Sequence, residues 1–190
     1  MSRIHSIFYF LLAISLLGTS CTKSVSSSPG LTIPNGDFEL WDSQPKLLNW
    51  QTNSCPMCMV QMNMYLVQKD SLAYTGQWGA RFVSNFSFPG IAQQTFAIDE
   101  PTHAMSADIR SNMTAGDTAS IKVYLISNKQ VFDSGIWYET SSTPQYKTIT
   151  IPFTPVTGIM PDSAKIIITG GKKVTSSFTV DYLYLVPLMN

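Results

Sequence analysis

The sequence predicts an all-β chain, a two-sheet antiparallel β-sandwich occupying residues 33–190. Apolar residues recur with period two almost throughout, the mark of strands with one buried face. Turn residues separate the runs at short intervals, which is sandwich spacing. No stretch of ten residues carries a helical period, so the crossover helices that a parallel sheet requires are missing.

The chain opens with a segment to set aside before any fold argument. Arg3 and His5 precede an apolar run from Ile7 to Leu17, and the small residues Gly18, Thr19 and Ser20 follow. This is the build of a secretory signal peptide over residues 1–20. The apolar run is about half of the ~20 residues needed to cross a bilayer, so it does not read as a permanent span. Leu16-Leu17-Gly18-Thr19-Ser20-Cys21 resembles a bacterial lipobox, with Leu17 one place earlier than such boxes usually carry it. The resemblance implies acylation of Cys21; cleavage near Ser20 with a free Cys21 is the alternative. Residues 21–32 are rich in Ser, with Pro29 and Gly30, and read as a flexible tether that holds the domain to the membrane through the lipid alone.

Strands follow in order: Val60–Val67, Ala80–Phe86, Ile91–Ile98, a run in which Met105, Ala107 and Ile109 alternate with Ser106, Asp108 and Arg110, another in which Ile121, Val123 and Leu125 alternate with Lys122, Tyr124 and Ile126, then Tyr146–Phe153, Lys165–Thr169 and Phe178–Val186. Turn signals stand at Pro89-Gly90, Ala115-Gly116-Asp117, Ser127-Asn128-Lys129, Gly158 with Pro161, and Gly170-Gly171. The last of these predicts a hairpin pairing Ile166–Ile168 with Phe178–Val180.

Charged residues make up only 13% of the chain, with 12 basic and 12 acidic side chains, and no Lys/Arg run occurs. Nucleic acid therefore has no electrostatic footprint to bind. The rest of the surface is polar, uncharged and studded with aromatics, which suits a sugar ligand and equally suits any extracytoplasmic sandwich.

Three segments carry a resemblance. Asn35-Gly36-Asp37-Phe38-Glu39-Leu40-Trp41 with Trp50 opens the domain, Tyr74-Thr75-Gly76-Gln77-Trp78-Gly79-Ala80-Arg81-Phe82 follows, and Phe178-Thr179-Val180-Asp181-Tyr182-Leu183-Tyr184-Leu185 closes it. Together they resemble the galactose-binding-like jelly rolls, which include many carbohydrate-binding modules, and the opening phrase resembles carbohydrate-metabolism lipoproteins of Bacteroidetes. The resemblance spans residues 33–187 and implies a jelly-roll order of strands. It also implies a structural calcium ion held between the first and last strands by Glu39, Asp181 and Asp37, with backbone carbonyls near residues 70–76 completing the shell; Asp37 as a turn residue and Glu39 as a solvated strand residue is the alternative. One departure is that the usual paired Asp of the last strand is here Asp181-Tyr182.

Cys55-Pro56-Met57-Cys58 reads as a local disulfide in an oxidising envelope. Met57, Met59, Met62 and Met64 crowd beside it, which leaves soft-ligand copper binding as the alternative. Aromatic rings offer flat apolar faces for sugar rings. The expected sugar platform is Arg110, Tyr124, Tyr65 and either Trp137 or Tyr138, with Trp78 beside a turn; ordinary cross-strand pairs on a wet sheet face are the alternative. Asp108 with Asp133 or Glu139 is the pair a glycoside hydrolase would use. Asp70-Ser71-Leu72, Asp117-Thr118-Ala119 and Asp162-Ser163-Ala164 resemble an O-glycosylation sequon and also read as turns. The expected function is non-catalytic glycan binding by a lipoprotein of the bacterial outer membrane, on a membrane face left open. A structural or partner-binding sandwich is the rival, and a hydrolase the weaker one.

Overall fold

The structure, a computed structural model, describes residues 31–44, 46–54, 65–86, 88–154 and 159–188. The expected secretory segment, Cys21, most of the expected tether, and Cys55 and Cys58 with their methionines lie outside the described residues.

Among the described residues there are twelve strands and no helix: β1 (Leu31–Thr32), β2 (Gln51–Thr52), β3 (Val67–Asp70), β4 (Gly79–Asn85), β5 (Phe88–Pro89), β6 (Ile91–Ala97), β7 (Thr102–Asn112), β8 (Ala119–Ser127), β9 (Gln130–Glu139), β10 (Thr143–Pro152), β11 (Ser163–Thr169) and β12 (Ser177–Pro187). They build two antiparallel sheets. The larger runs β10-β7-β12-β4-β3, with β1 beside the C-terminal half of β12 and β5 beside the end of β4; the smaller runs β2-β6-β11-β8-β9. The expected all-β two-sheet sandwich is the observed one.

Between the sheets lies the apolar half of each alternation. Phe82, Met105, Ile109, Ile151 and Phe178 come from the larger sheet and Ile121, Leu125, Ile166 and Ile168 from the smaller, all essentially without solvent contact. At ~1.5–3 kcal/mol for each fully buried large side chain, this layer dominates the folding energy.

The opening motif is a fold clamp. Asn35 and Phe38 take left-handed backbone angles (φ 49° and 55°), and Gly36 packs so close to the backbone of Leu183 that a Cβ would stand 2.7 Å from its oxygen. The Asn35 side chain donates to the carbonyls of Leu40 and Leu48 and accepts from the Leu40 amide, while its own carbonyl accepts from the Trp50 indole. Phe38 is fully buried against Trp50, ring centroids 5.5 Å apart. The segment is read by β12, which bulges after Asp181: Tyr182 is left-handed (φ 48°), and the Leu183 amide donates to Gly36.

Three expectations need correction. The Gly170-Gly171 turn is not a hairpin: β11 pairs with β6 and β8 in the smaller sheet, whereas Phe178–Val180 pairs with β4 and β7 in the larger, so the turn carries the chain between sheets. Gly is needed there because a Cβ on Gly170 would meet Phe82 at 2.9 Å. Of the strand expected over Val60–Val67, residues 60–64 lie outside the described residues, and Tyr65 and Leu66 precede β3, which begins at Val67. Leu31 and Thr32, assigned to the tether, pair with Leu185 and Tyr184 as β1.

Candidate functional site

The outer face of the larger sheet carries a groove built by register. Arg81, Thr179 and Arg110 stand opposite one another on β4, β12 and β7, and one repeat along, Val83, Ser177 and Asn112 do the same. Strands lie ~4.8 Å apart, so small residues on the middle strand leave a trough between side chains roughly 10 Å apart. The groove is about 390 Å³, walled by Arg81 on one side and Arg110 and Asn112 on the other, and closed by Asp70, Leu72 and Pro144. That volume falls within the ~300–1,000 Å³ of small-ligand sites.

Its wall is rigid. Arg110 pairs with Asp70, whose same oxygen accepts from the Thr179 hydroxyl at 3.1 Å and whose other oxygen accepts from the Leu72 amide at 3.0 Å. Register slips where β10 meets β7 between Thr143 and Lys147, and from that irregular stretch the Tyr146 ring reaches over the Arg110 guanidinium at 5.5 Å and packs against Tyr74 at 5.7 Å. Burial pushes the Tyr146 phenol up to about 12, against the pull of Arg110. Asp108, on the same face, is buried; desolvation raises it, and the Thr148 hydroxyl, donating at 2.5 Å, pulls the other way.

Beside the groove the loop from Ser71 to Trp78 is pinned by two carboxylates. One Asp181 oxygen accepts from the amides of Tyr74 (2.7 Å) and Thr75 (3.0 Å), and the other accepts from Tyr182. Glu39 Oε1 accepts from Gln77 (2.7 Å) and Trp78 (2.9 Å). Gly76 (φ 62°) leaves Glu39 the room, since a Cβ there would stand 2.1 Å from Oε1. Desolvation lifts Asp181 to about 6; the three amides oppose this and the Glu39 charge adds to it.

The calcium ion implied by the resemblance does not fit this donor set. Backbone N–H groups point their positive ends at both Asp181 oxygens and at Glu39 Oε1, where a cation would need lone pairs. Asp37 is exposed and lines a separate hollow with Tyr182 and Tyr184, and among the described residues no three His, Cys, Asp or Glu side chains gather.

The expected sugar platform does not form one surface. Arg110 faces outward from the larger sheet, whereas Tyr124 and Tyr138 face outward from the smaller one, on the opposite side of the sandwich. Trp137 turns inward, packed against the core with Lys147 over its ring at 5.7 Å. Trp78 is half-buried beneath Lys69, 5.1 Å from its ring, and Tyr65 is half-buried before β3. Only Arg110, of the six, lines the groove.

The hydrolase pair does not form either. Asp108 is on the larger sheet and Asp133 and Glu139 are on β9 of the smaller. Glu139 is buried between the sheets in an ion pair with Lys147 at 2.6 Å; burial raises its carboxyl, but hydrogen bonds from Lys147 and Ser141 outweigh that and hold it below the usual range. The three sequon-like Asp residues each brace a turn: Asp70 holds Leu72, Asp117 holds Thr118, Lys172 and Lys173, and Asp162 holds Asn128 and Ser163.

Sequence reasoning missed Arg81, Asn112, Ser177 and Thr179. Ser177 and Thr179 do alternate with buried Phe178 and Val180, a visible signal of two small outward residues, but which strands flank them is not local information. A larger hollow of about 720 Å³ lies at Ile98, Asn128, Phe132 and Met160. Of its two carboxylates, Asp99 and Asp162, the second is already committed to Asn128 and Ser163.

Comparison with known proteins places this architecture. No protein-family model matches the chain, and no curated sequence matches it. Among solved structures, the chain is similar to the carbohydrate-binding module TmCBM61 in complex with β-1,4-galactotriose, with TM-score 0.60, 15% identity, and 85% of this chain and 100% of that one covered. The fold is shared with a carbohydrate-binding module. A proposed glycoside hydrolase from Bacteroides thetaiotaomicron superposes with TM-score 0.56 at 9% identity, over 78% of this chain and 66% of that chain. The arabinose-bound α-L-arabinofuranosidase MgGH51 matches with TM-score 0.54 at 13% identity, over 83% of this chain but only 26% of that enzyme.

Proposed function

We propose that this chain is a non-catalytic glycan-binding lipoprotein of the bacterial cell envelope, anchored through acylated Cys21, and that its ligand lies in the groove over Thr179 and Ser177. The observation that carries the reading is the groove itself: an open trough whose floor and wall are tied together by Asp70, Arg110 and Thr179, with Arg81, Asn112 and Ser177 left for a ligand, on a sandwich shared with a carbohydrate-binding module. Preorganised polar groups spare the ordering cost that weakens sugar binding to mobile side chains. The carboxylates of this face are committed to Arg110 and Thr179, to Thr148, or to loop amides, which supports binding over hydrolysis.

The test is a glycan array followed by calorimetry on the mature domain, with Ser177→Trp as the variant. Ser177 is half-buried and its side chain makes no hydrogen bond among the described residues, so the new indole fills the trough and leaves the framework intact. Micromolar-to-millimolar binding, lost in Ser177→Trp at unchanged Tm, supports the reading. Undiminished binding in that variant places the site elsewhere, and no binding to any polysaccharide removes the function.

One observation favours the partner-binding reading. Phe86, after β4, and Phe88, the first residue of β5, stand 67% and 62% exposed, a pair of outward aromatics. Replacing both with Ser should leave glycan binding untouched if the groove is the site.

A further inference from the structure

We propose that the groove selects acidic glycans, whose sugars carry carboxylate groups, and that Arg81 is the residue that reads the charge. The inference rests on the reading that the groove binds glycan, and it adds the chemical class.

Charge accounting within the groove leads there. Three charged side chains line it: Asp70, Arg81 and Arg110. Asp70 and Arg110 neutralise one another, and the Asp70 oxygens are further occupied by Thr179 and Leu72. Arg81 is left. It is exposed, it stands across Thr179 from Arg110 and across from the neutral Gln68 on β3, and it forms no ion pair or hydrogen bond among the described residues. The groove therefore carries one uncompensated positive charge, on the side chain whose planar fork matches a carboxylate with two parallel hydrogen bonds.

The opposite wall supplies what the sugar ring needs. Asn112 lines that wall; its amide oxygen lies 3.4 Å from the Ser142 hydroxyl, whose single proton has a nearer acceptor in the Met113 carbonyl at 3.1 Å, so the Asn112 amide keeps hydrogen-bonding capacity for a ligand, and the Ser177 hydroxyl also lines the trough. An acidic sugar set across β12 would place its carboxylate at Arg81 and its ring hydroxyls at Ser177 and Asn112. A neutral sugar would use only the second set.

The experiment compares carboxylated polysaccharides (polygalacturonate and alginate) with neutral ones (galactan and laminarin), using the mature domain, Arg81→Gln, Ser177→Trp, and Lys122→Gln as a control cation on the other sheet. The expected result is binding to a carboxylated chain, weakened about tenfold or more by Arg81→Gln, abolished by Ser177→Trp, and unchanged by Lys122→Gln. A sulfated polysaccharide bound equally well would show that Arg81 reads anionic charge in general, and would overturn the carboxylate assignment. Neutral chains bound in preference, with Ser177→Trp still blocking them, would overturn the acidic class and leave the glycan site standing. Equal losses from Arg81→Gln and Lys122→Gln would show nonspecific polyanion attraction and overturn the role of Arg81. No binding to any chain would remove both proposals.

Discussion

The two outer faces of the sandwich are written in the same alternation and end up as different objects. On the larger sheet, Ser106, Asp108, Thr179 and Asp181 point away from the core yet are buried and bonded: Asp181 holds amides of the 71–78 loop, Thr179 donates to Asp70, Asp108 accepts from Thr148, and Ser106 donates to the Ile149 carbonyl. On the smaller sheet, Lys122, Tyr124 and Lys165 are half-buried and Ile136 and Tyr138 are exposed. Alternation says which side chains leave the core. Whether an outer face becomes a fixed polar network or a wet surface is decided by what distant segments lay across it, and here a loop held by Glu39 and Asp181 and an irregular stretch of β10 decide it.

The sharpest way to break this contrast is to remove one partner of the covered ion pair. Arg110→Ala strands the buried Asp70 carboxylate, and the loss should be about 3 kcal/mol in urea unfolding, since an uncompensated buried charge costs that much or more. Lys122→Ala, on the other face, should change stability by no more than ~0.5 kcal/mol. Equal effects would mean the two faces are energetically alike, and the groove wall is not the rigid element argued above.

How much of this was legible beforehand follows the same line. Period two exposed the inward faces of β7, β8, β10 and β12, because each decision there needs only neighbouring residues. The motif around Asn35 marked the clamp but not its partner, Leu183, nearly 150 residues on. Glu39 and Asp181 belong together in both sequence and structure, and the structure has them accepting loop amides; a carboxylate accepting amides has the same sequence as one coordinating a metal. The sugar platform failed for a topological reason: Arg110 and Tyr124 are both outward on long strands, and only the sheet order reveals that their outward directions are opposite. Arg81 could not be singled out, because its importance lies in having no partner when Arg110 has one.

The loop clamp gives a smaller and more specific effect. Asp181→Ala leaves three amides without their acceptor and should cost about 2 kcal/mol, with loss of hydrogen-exchange protection confined first to residues 72–78. Chelator should leave Tm unchanged, in line with the amide-filled donor set. The sign of the pH effect also follows. Asp181 is raised by burial from 3.8 to about 6, so between those values the native state holds a proton that the unfolded chain releases. Its contribution therefore grows as pH falls through that window and is withdrawn as pH rises through about 6. Glu139, held below its ordinary value, works in the opposite sense at lower pH, so comparison with Asp181→Asn isolates the term. Amide shifts of Tyr74 and Thr75 titrating near pH 6 would support the assignment; a midpoint near 4 would refute it.

The smallest expected effect separates the two faces most directly. Tyr138 is 57% exposed, stands opposite Ser120 on β8, and makes no hydrogen bond among the described residues. Truncating it should cost less than ~1 kcal/mol, because little apolar area leaves a buried state. Tyr124 lies on the same face but is displaced by four residues along the ladder, roughly 13 Å, too far for the two rings to flank one sugar without the chain running along the strand. Tyr138→Ala should therefore leave glycan affinity within twofold of the parent, while Ser177→Trp abolishes it. The reverse result, affinity lost with Tyr138 and kept with a filled trough, would move the binding surface to the smaller sheet. There the ligand would have to be recognised by stacking on exposed tyrosines, with Lys122 and Lys165 as the nearby cations and, among the described residues, no ion pair on that outer face to hold the wall.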